Sequence, residues 1–340
     1  MLFRNNLSLI SHNSFGIAAS ARYLVQIRNL QQLFSILASA KKKNISPIIL
    51  GSGSNIILNK NSYNLVLIMK MFEISLLKKN KKYVYIKAGA GVNWDSFVRF
   101  TLNNCCYGLE NLSFIPGTVG ACPIQNIGAY GVEIKDYFYE LTAVDMSTHT
   151  LVKFSKDECR FEYRNSIFKN EFKDRYIITN VTFQLKREPK LNIHDINLAK
   201  ELEKNAIIHV TPEIIREYVI LIRKRKLPDI KILGNAGSFF VNPIVHSEHA
   251  KLINSKYPNL LSYQLETGLV KLSAGWLIDQ CGWRGYQDNF LNVGIYQDNP
   301  LVLVNLGGAS GKNILAFSSR VMKTVFEKFA IQLKIEPVIY

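Results

Sequence analysis

Residues Asn111 to Gly131 read N-L-S-F-I-P-G-T-V-G-A-C-P-I-Q-N-I-G-A-Y-G, with no charge between Glu110 and Glu133. Gly117, Gly120, Gly128 and Gly131 alternate with Pro116, Pro123 and small or apolar residues. Glycine lets a backbone take positive φ and approach a ligand closely, and proline stiffens what lies between. A solvated loop of this length would normally carry Lys, Asp or Ser. Two readings follow: a shaped peptide lying against something large and flat or phosphorylated, or a glycine-rich connection inside a core.

On either side the periodicity alternates between helix and strand. Leu30 to Lys43 has helical spacing with Asn29 as N-cap, and Pro47–Leu50 is a short buried strand. That strand runs into Gly51-Ser-Gly-Ser-Asn55, whose small residues expose backbone N–H groups as a nest for phosphate oxygens. No third glycine follows, so it is not the dinucleotide fingerprint. Strands are predicted at Leu65–Lys70 and Tyr83–Lys87, and a helix near Trp94–Asn103. Alternation then predicts antiparallel strands at Tyr139–Met146, Leu151–Ser155 and Tyr176–Leu185. Thr211-Pro-Glu213 opens a helix that ends in Arg223-Lys-Arg-Lys226, a basic run read as a solvated last turn and a boundary. Beyond it come a strand at Phe239–Val245, a helix at Ala250–Lys256, a strand leading into a helix at Leu269–Leu277, and a strand at Leu301–Asn305. A helix at Asn313–Phe329 and a last strand at Ala330–Ile335 close the chain. Strands and helices mix without a strict βαβ rhythm, so the expected class is α+β.

The 340 residues, 48% hydrophobic, suffice for two or three domains with cores of their own. No apolar run reaches the length of a membrane span, and the N-terminus lacks a signal-peptide pattern. Five cysteines without a C-x-x-C pair suit a reducing cytosol and argue against a disulfide frame or a structural zinc. The formal charge of +16 is unaccompanied by any nucleic-acid-binding signature, so it favours anionic small molecules and no nucleic acid is expected.

Several motifs look chemical and fail on spacing. Gly307-Gly-Ala-Ser-Gly-Lys312 imitates a P-loop, but Leu306 and Asn313 occupy the outer positions. His246-Ser-Glu-His249 is not H-E-x-x-H, and no metal site is expected. Ser238 sits in a bend of small residues before two aromatics without the G-x-S-x-G elbow, so proton donation fits it better than nucleophilic attack. Arg164, within Glu162-Tyr-Arg-Asn-Ser166, could fork two hydrogen bonds to a carboxylate. Glu336, beside Pro337, reads by itself as a solvated charge.

Taken in order, the motifs resemble the UDP-N-acetylenolpyruvoylglucosamine reductase family. The matching elements are N-S-F-G-I at Asn13–Ile17, I-L-G-S-G-S-N at Ile49–Asn55 and G-L-E-N-L-x-x-I-P-G-x-V-G at Gly108–Gly120. P-I-Q-N-I-G-A-Y-G-V-E at Pro123–Glu133, E-C-R-F-x-Y-R-x-S-I-F at Glu158–Phe168 and K-L-P-D at Lys226–Asp229 follow. G-N-A-G-S-F-F-x-N-P at Gly234–Pro243 and K-L-x-A-G-W-L-I-D-Q at Lys271–Gln280 complete a set that covers nearly the whole chain.

The resemblance implies an FAD-binding fold of the vanillyl-alcohol-oxidase type in two subdomains, with a smaller α+β domain for the substrate. The expected boundaries are 1–70 and 71–225 for the FAD-binding subdomains and 226–329 for the substrate domain, with 330–340 returning to the FAD-binding region. It implies a cytoplasmic, monomeric enzyme that reduces the enolpyruvyl group of a UDP-linked sugar with FAD and NADPH, in peptidoglycan precursor synthesis. Gly53, Ser54 and Asn55 would meet the FAD pyrophosphate. Ile115, Pro116, Gly117, Gly120, Ile127, Gly128 and Ala129 would line the flavin. Arg164 and Glu336 match the family's carboxylate-stabilising pair, Glu336 in a protonated state or through water, and Ser238 matches its proton donor. Lys226, Asn242, Tyr263 and Lys271 match positions that hold the UDP and sugar, with Gln125 near flavin and substrate.

Some residues depart from the family pattern. Ile193 stands in the expected substrate-clamping loop, Lys190–Ile196, where a tyrosine is the rule, which predicts weaker substrate binding. Pro337-Val338 replaces a Val-Arg continuation, so a flavin contact is expected to be lost and Glu336 to sit in a tail prone to fraying. Ala121 replaces a small polar residue, and Asp288–Asn299 carries a short insertion. The competing readings are another FAD oxidase or dehydrogenase of the same fold, or a flavin-binding remnant without turnover.

Overall fold

The computed structural model describes residues 6–265 and 268–340, and the chain divides within the basic run that ends the Thr211-Pro-Glu213 helix. One unit holds Ala21–Gly53 and Ser62–Lys224; the other holds Ser8–Ser20, Ser54–Asn61 and Arg225–Tyr340.

The first unit is built on two sheets. In the smaller, Ser20–Ile27, Ser62–Met69 and Ile48–Leu50 are neighbours in that order, and the last two run parallel. Helix α1, Leu30–Lys42, packs on it. Asn29 accepts the Gln32 amide as N-cap, and Leu33, Ile36, Leu37 and Ala40 line the buried side, as their spacing requires. The larger sheet has five strands in the order Leu151–Ser155, Phe138–Asp145, Tyr176–Lys186, Tyr83–Gly89, Ile74–Lys79, with antiparallel neighbours throughout. Helix α2, Trp94–Asn103, buries Trp94 and Phe97 against it; their rings lie 5.9 and 4.9 Å from Phe183. The strands at Ser20–Ile27 and Ile74–Lys79 have no counterpart in the sequence reading. The first is broken by Arg22 and the second ends in lysines, so neither shows clean alternation.

Helix α3, Ile196–Lys204, lies in the stretch read only as a loop and its sequel. It pairs with α4, Pro212–Lys226, through Leu198, Leu202, Ile215, Val219 and Ile222. Thr211 and Pro212 start α4 as expected, with the Thr211 hydroxyl accepting the Ile214 amide at 3.3 Å.

In the second unit an antiparallel sheet runs Gly234–Ser238, Val302–Asn305, Val293–Ile295, Gln287–Asp288. A three-stranded sheet places Leu269–Leu272 between Ile244–His246 and Ser262–Gln264. The single strand expected at Phe239–Val245 is therefore two pieces, Phe240–Val241 and Ile244–His246, interrupted at Pro243, which has no N–H for a ladder. Helices α5, Ser247–Lys256, and α6, Ala274–Gln280, flank them, and α7, Gly311–Phe329, is the longest. The P-loop look-alike before α7 is a cap. Asn305 Oδ1 takes the Gly307 and Ala309 amides at 2.9 and 3.1 Å, and Ser310 caps Asn313. The closing strand is also shorter than expected. Ala330 turns left-handed (φ 53°) to end α7, leaving Lys334–Ile335 and Val338–Ile339.

Candidate functional site

The Asn111–Gly131 stretch is anchored from below and open above. Trp94 Nε1 donates to the Leu112 carbonyl at 2.8 Å, and Asn111 Nδ2 donates to the carbonyls of Tyr130 and Asn192 at 2.9 and 2.8 Å. The Val119 and Gly120 amides bond to the carbonyls of Val92 and Ala90. Leu112, Val119 and Cys122 face the core, whereas Ile115, Gly117, Gly120, Ile127, Gly128 and Ala129 are half-buried and Pro116 and Ala121 exposed. The expected flavin-lining residues are thus half-buried or exposed, as are Phe114, Ile124, Tyr130 and Gly131, and Ile115, Ile127 and Ala129 also pack against the core. The glycines also serve the protein's own packing. A Cβ on Gly120 would lie 2.5 Å from that of Ala90, and one on Gly51 would lie close to Thr118 Oγ1. At Gly120 the reading of a glycine-rich connection inside a core therefore holds.

A second loop docks against this one. Asn126 Nδ2 donates to the Glu162 carbonyl (3.0 Å), Arg164 Nη2 to the Gly128 carbonyl (2.6 Å), Ser166 Oγ to the Ile124 carbonyl (2.7 Å) and Lys169 Nζ to Gln125 Oε1 (3.1 Å). Glu162 and Asn165 exchange both backbone bonds across a tight turn, which holds Arg164 at φ 55°. A left-handed arginine is uncommon and persists where its surroundings over-determine it. Arg164 is thereby brought against Gly128 of the glycine-rich stretch, and Lys169 against Gln125.

The basic run after α4 is not wholly solvated. Arg223 is half-buried and its Nε donates to the Phe114 carbonyl at 3.0 Å. Burial, with the neighbouring Arg164 guanidinium, pushes Arg223 below its ordinary pKa, opposed by Tyr130 and Asp95. Phe114 is itself left-handed (φ 60°), and its amide donates to Asp95 Oδ1 at 2.6 Å. Asp95 is gripped in turn by Arg216, whose Nη1 and Nη2 lie 2.6 and 2.7 Å from its two oxygens. Both polar backbone groups of the residue before Ile115-Pro-Gly117 are therefore fixed by charged side chains. Among the described residues, Asp95, Arg216, Arg223 and Lys169 make contacts with the stretch or its supports that the sequence reading missed. In a chain with 42 Lys and Arg, a charge with no local motif carries no signal.

The expected clamping loop is docked too. Asn192 Nδ2 donates to the Gly131 carbonyl at 3.0 Å, with Ile193 38% exposed beside it.

At the nest, Gly53 is left-handed (φ 67°) and buried, while Ser54 and Asn55 are half-buried. The Asn55 carbonyl accepts the Val338 amide at 3.0 Å, the Tyr340 amide bonds to the Ile57 carbonyl, and Val338–Ile339 runs parallel to Ile56–Ile57. The C-terminal tail is therefore paired to its last residue, which corrects the expectation that it frays. Pro337 lies before the paired residues, and the amides that bond are those of Val338 and Tyr340.

In the same unit Ser238 and Glu336 come together. Ser238 ends its strand after a bulge at Ala236–Gly237 and pairs with Val302. The next residue, Phe239, accepts the Glu336 amide on its carbonyl at 2.9 Å, and Phe240–Val241 pairs with Lys334–Ile335. Asn235 fixes the bend, donating to the Pro228 and Leu233 carbonyls and accepting the Gly237 amide. The N-S-F-G-I motif supports it. Asn13 bonds to Leu9 and Ile17 backbone, the Ser14 carbonyl accepts the Asn235 amide, and Asn305 Nδ2 donates to the Phe15 carbonyl. Gly234 is obligatory there, since a Cβ would lie 2.2 Å from the Phe15 carbonyl oxygen.

Of the expected substrate-binding residues, Tyr263 and Lys271 are register partners, with Lys271 Nζ 5.3 Å from the Tyr263 ring centroid. Asn242 Oδ1 accepts the Ala274 amide at the start of α6, and Lys226 is the exposed last residue of α4. The Asp288–Asn299 segment forms a hairpin with the residue before it, pinned to α7 by the Asp288–Arg320 ion pair.

Comparison with known proteins gives concordant results. Residues 228–340 match the C-terminal domain of UDP-N-acetylenolpyruvoylglucosamine reductase, and residues 21–155 match an FAD binding domain. The chain is 42% identical over 337 residues to UDP-N-acetylenolpyruvoylglucosamine reductase of Flavobacterium johnsoniae, covering 99% of each. It is 43% identical over 332 residues to that of Polynucleobacter asymbioticus, covering 98% of this chain and 95% of the relative. The crystal structure of the Thermus caldophilus reductase superposes on all of both chains with a TM-score of 0.68 at 21% identity, which establishes a shared fold. From a glycine-rich FAD binding domain at one end to a matching C-terminal domain at the other, the chain belongs to the UDP-N-acetylenolpyruvoylglucosamine reductase family.

Proposed function

We infer that this chain is the FAD-dependent enzyme that reduces the enolpyruvyl group of UDP-N-acetylglucosamine enolpyruvate to UDP-N-acetylmuramate, with NADPH as reductant, in peptidoglycan precursor synthesis. The observation that carries the reading is the uncharged, half-buried backbone at Ile115, Gly117, Gly120 and Ile127–Ala129, with Arg164 bonded to it at Gly128. In a chain of net charge +16, such a surface fits a flat, apolar isoalloxazine ring. Gly53, Ser54 and Asn55 would hold the pyrophosphate through backbone amides. When bound, reduced FAD supplies the hydride.

The chain's own residues manage the charge and the proton. Hydride addition beside a carboxylate builds enolate charge, which Arg164 would stabilise, with Glu336 in the role of the family's second carboxylate-stabilising residue. Ser238 Oγ donates the proton to the adjacent carbon. Lys226, Asn242, Tyr263 and Lys271 hold the UDP and sugar, and Gln125 orients the enolpyruvyl end. The two family matches, on 21–155 and 228–340, support a boundary near 226 between an FAD-binding part and a substrate domain; the split of the former into 1–70 and 71–225, and the end of the latter at 329, rest on the family resemblance. The enzyme acts as a cytoplasmic monomer. Its five cysteines are free thiols, and no helix of the described residues is long and apolar enough to cross a membrane.

The purified protein is expected to be yellow and to oxidise NADPH catalytically when the enolpyruvyl sugar is supplied. A protein that stays colourless after reconstitution with FAD overturns the reading; flavin spectra without turnover identify a remnant.

A further inference from the structure

Lys169 lies one residue beyond the Y-R-x-S-I-F motif and has no part in the chemistry above. Its Nζ is 3.1 Å from Gln125 Oε1 and 3.4 Å from the Arg164 carbonyl oxygen. An ammonium has three donors and no acceptor, so the Gln125 atom that faces it must be the amide oxygen. The side chain of Gln125 is buried, and a buried amide offered no such donor has two flips of similar shape and opposite polarity. With Lys169 in place only one flip is satisfied, and the NH2 end is turned away from the lysine.

The same ammonium ties that amide to the backbone of Arg164, whose guanidinium is bonded to Gly128. We propose that Lys169 is a positioning residue of the reductase site. It locks the Gln125 amide with its donor end toward the substrate and couples that amide to Arg164, so that both meet the enolpyruvyl carboxylate together. This rests on the assignment of Gln125 and Arg164 to the substrate in the preceding subsection.

The test uses the FAD-loaded full chain and follows flavin reduction by NADPH and flavin reoxidation by the enolpyruvyl sugar separately, alongside thermal unfolding. Lys169→Met keeps the aliphatic stem and removes the donors. Its reoxidation by sugar is expected to fall about tenfold or more, the cost of losing a charge-assisted hydrogen bond, while flavin content, Tm and reduction by NADPH change little. Lys169→Arg, which retains donors, should recover much of the loss. In a Gln125→Leu background Lys169→Met should cost nothing further, because the group it positions is gone. Multiplying effects of the two substitutions, equal losses in both half-reactions with a lowered Tm, or an unaffected Lys169→Met each overturn the inference. A wild-type holoprotein that is never reoxidised by the sugar overturns the functional reading and this inference with it. Wild-type turnover beside an unaffected Lys169→Met overturns the inference alone.

Discussion

Ser238 shows how little of a residue's chemistry is its own. Its hydroxyl is ordinary; what distinguishes it is a bulge at Ala236–Gly237, a left-handed Gly237 (φ 69°) and a neighbour, Phe239, whose carbonyl holds the Glu336 amide. A proton donor is needed only in the second half-reaction. Ser238→Ala is therefore expected to leave flavin reduction by NADPH largely intact and to slow sugar reduction about 10²- to 10⁴-fold, the usual worth of a positioned general acid. Stopped-flow measurement of the two steps under anaerobic conditions decides it, and equal loss in both would make the serine structural. Asn13 and Asn305 sit at the opposite extreme. Buried and bonded only to backbone, they hold the bend without touching any reacting atom.

Helix α2 and helix α4 meet through Asp95 and Arg216, and the pair does more than join them, because Asp95 also holds the Phe114 amide next to Ile115-Pro-Gly117. Burial alone would raise the Asp95 carboxyl. Arg216 and the Phe114 amide outweigh it, and the pKa lies below the ordinary 3.8. A carboxyl depressed in the folded state contributes stability that is present above its unfolded pKa and is lost as pH falls through the folded one. Thermal unfolding measured from about pH 5 down to about pH 2 should therefore show a steep loss that Asp95→Asn flattens. At neutral pH the same substitution is expected to cost about 1–3 kcal/mol, since the pair is bidentate but only half-buried. A pH profile identical in the two proteins would remove Asp95 from the account.

For the whole molecule, FAD should act as a stabilising ligand of the folded chain. A ligand that binds only the native state adds about 2.7 kcal/mol at a hundred times its Kd. Stripping the flavin and titrating it back is expected to raise Tm progressively, and a Tm indifferent to FAD would contradict a native FAD site. The positive charge is expected to appear as salt dependence of substrate binding, since Lys226 and Lys271 would face a diphosphate; charges that reach solvent are screened beyond about 8–10 Å at physiological salt.

The order of motifs along the chain, the helices at Leu30–Lys42, Trp94–Asn103 and Gly311–Phe329, and the uncharged glycine-rich stretch were all determined by sequence. Each is a local matter of spacing, capping or backbone freedom, which neighbouring residues fix among themselves. Tertiary structure alone decided which flank of that stretch stays open, that Arg223 is drawn in from a basic run, and that Lys169 faces Gln125. It also decided that a proline-interrupted tail pairs with Ile56–Ile57. These are contacts between residues far apart in the chain, and one lysine among many, or one two-residue strand, acquires a role only when folding brings its partner within hydrogen-bonding distance.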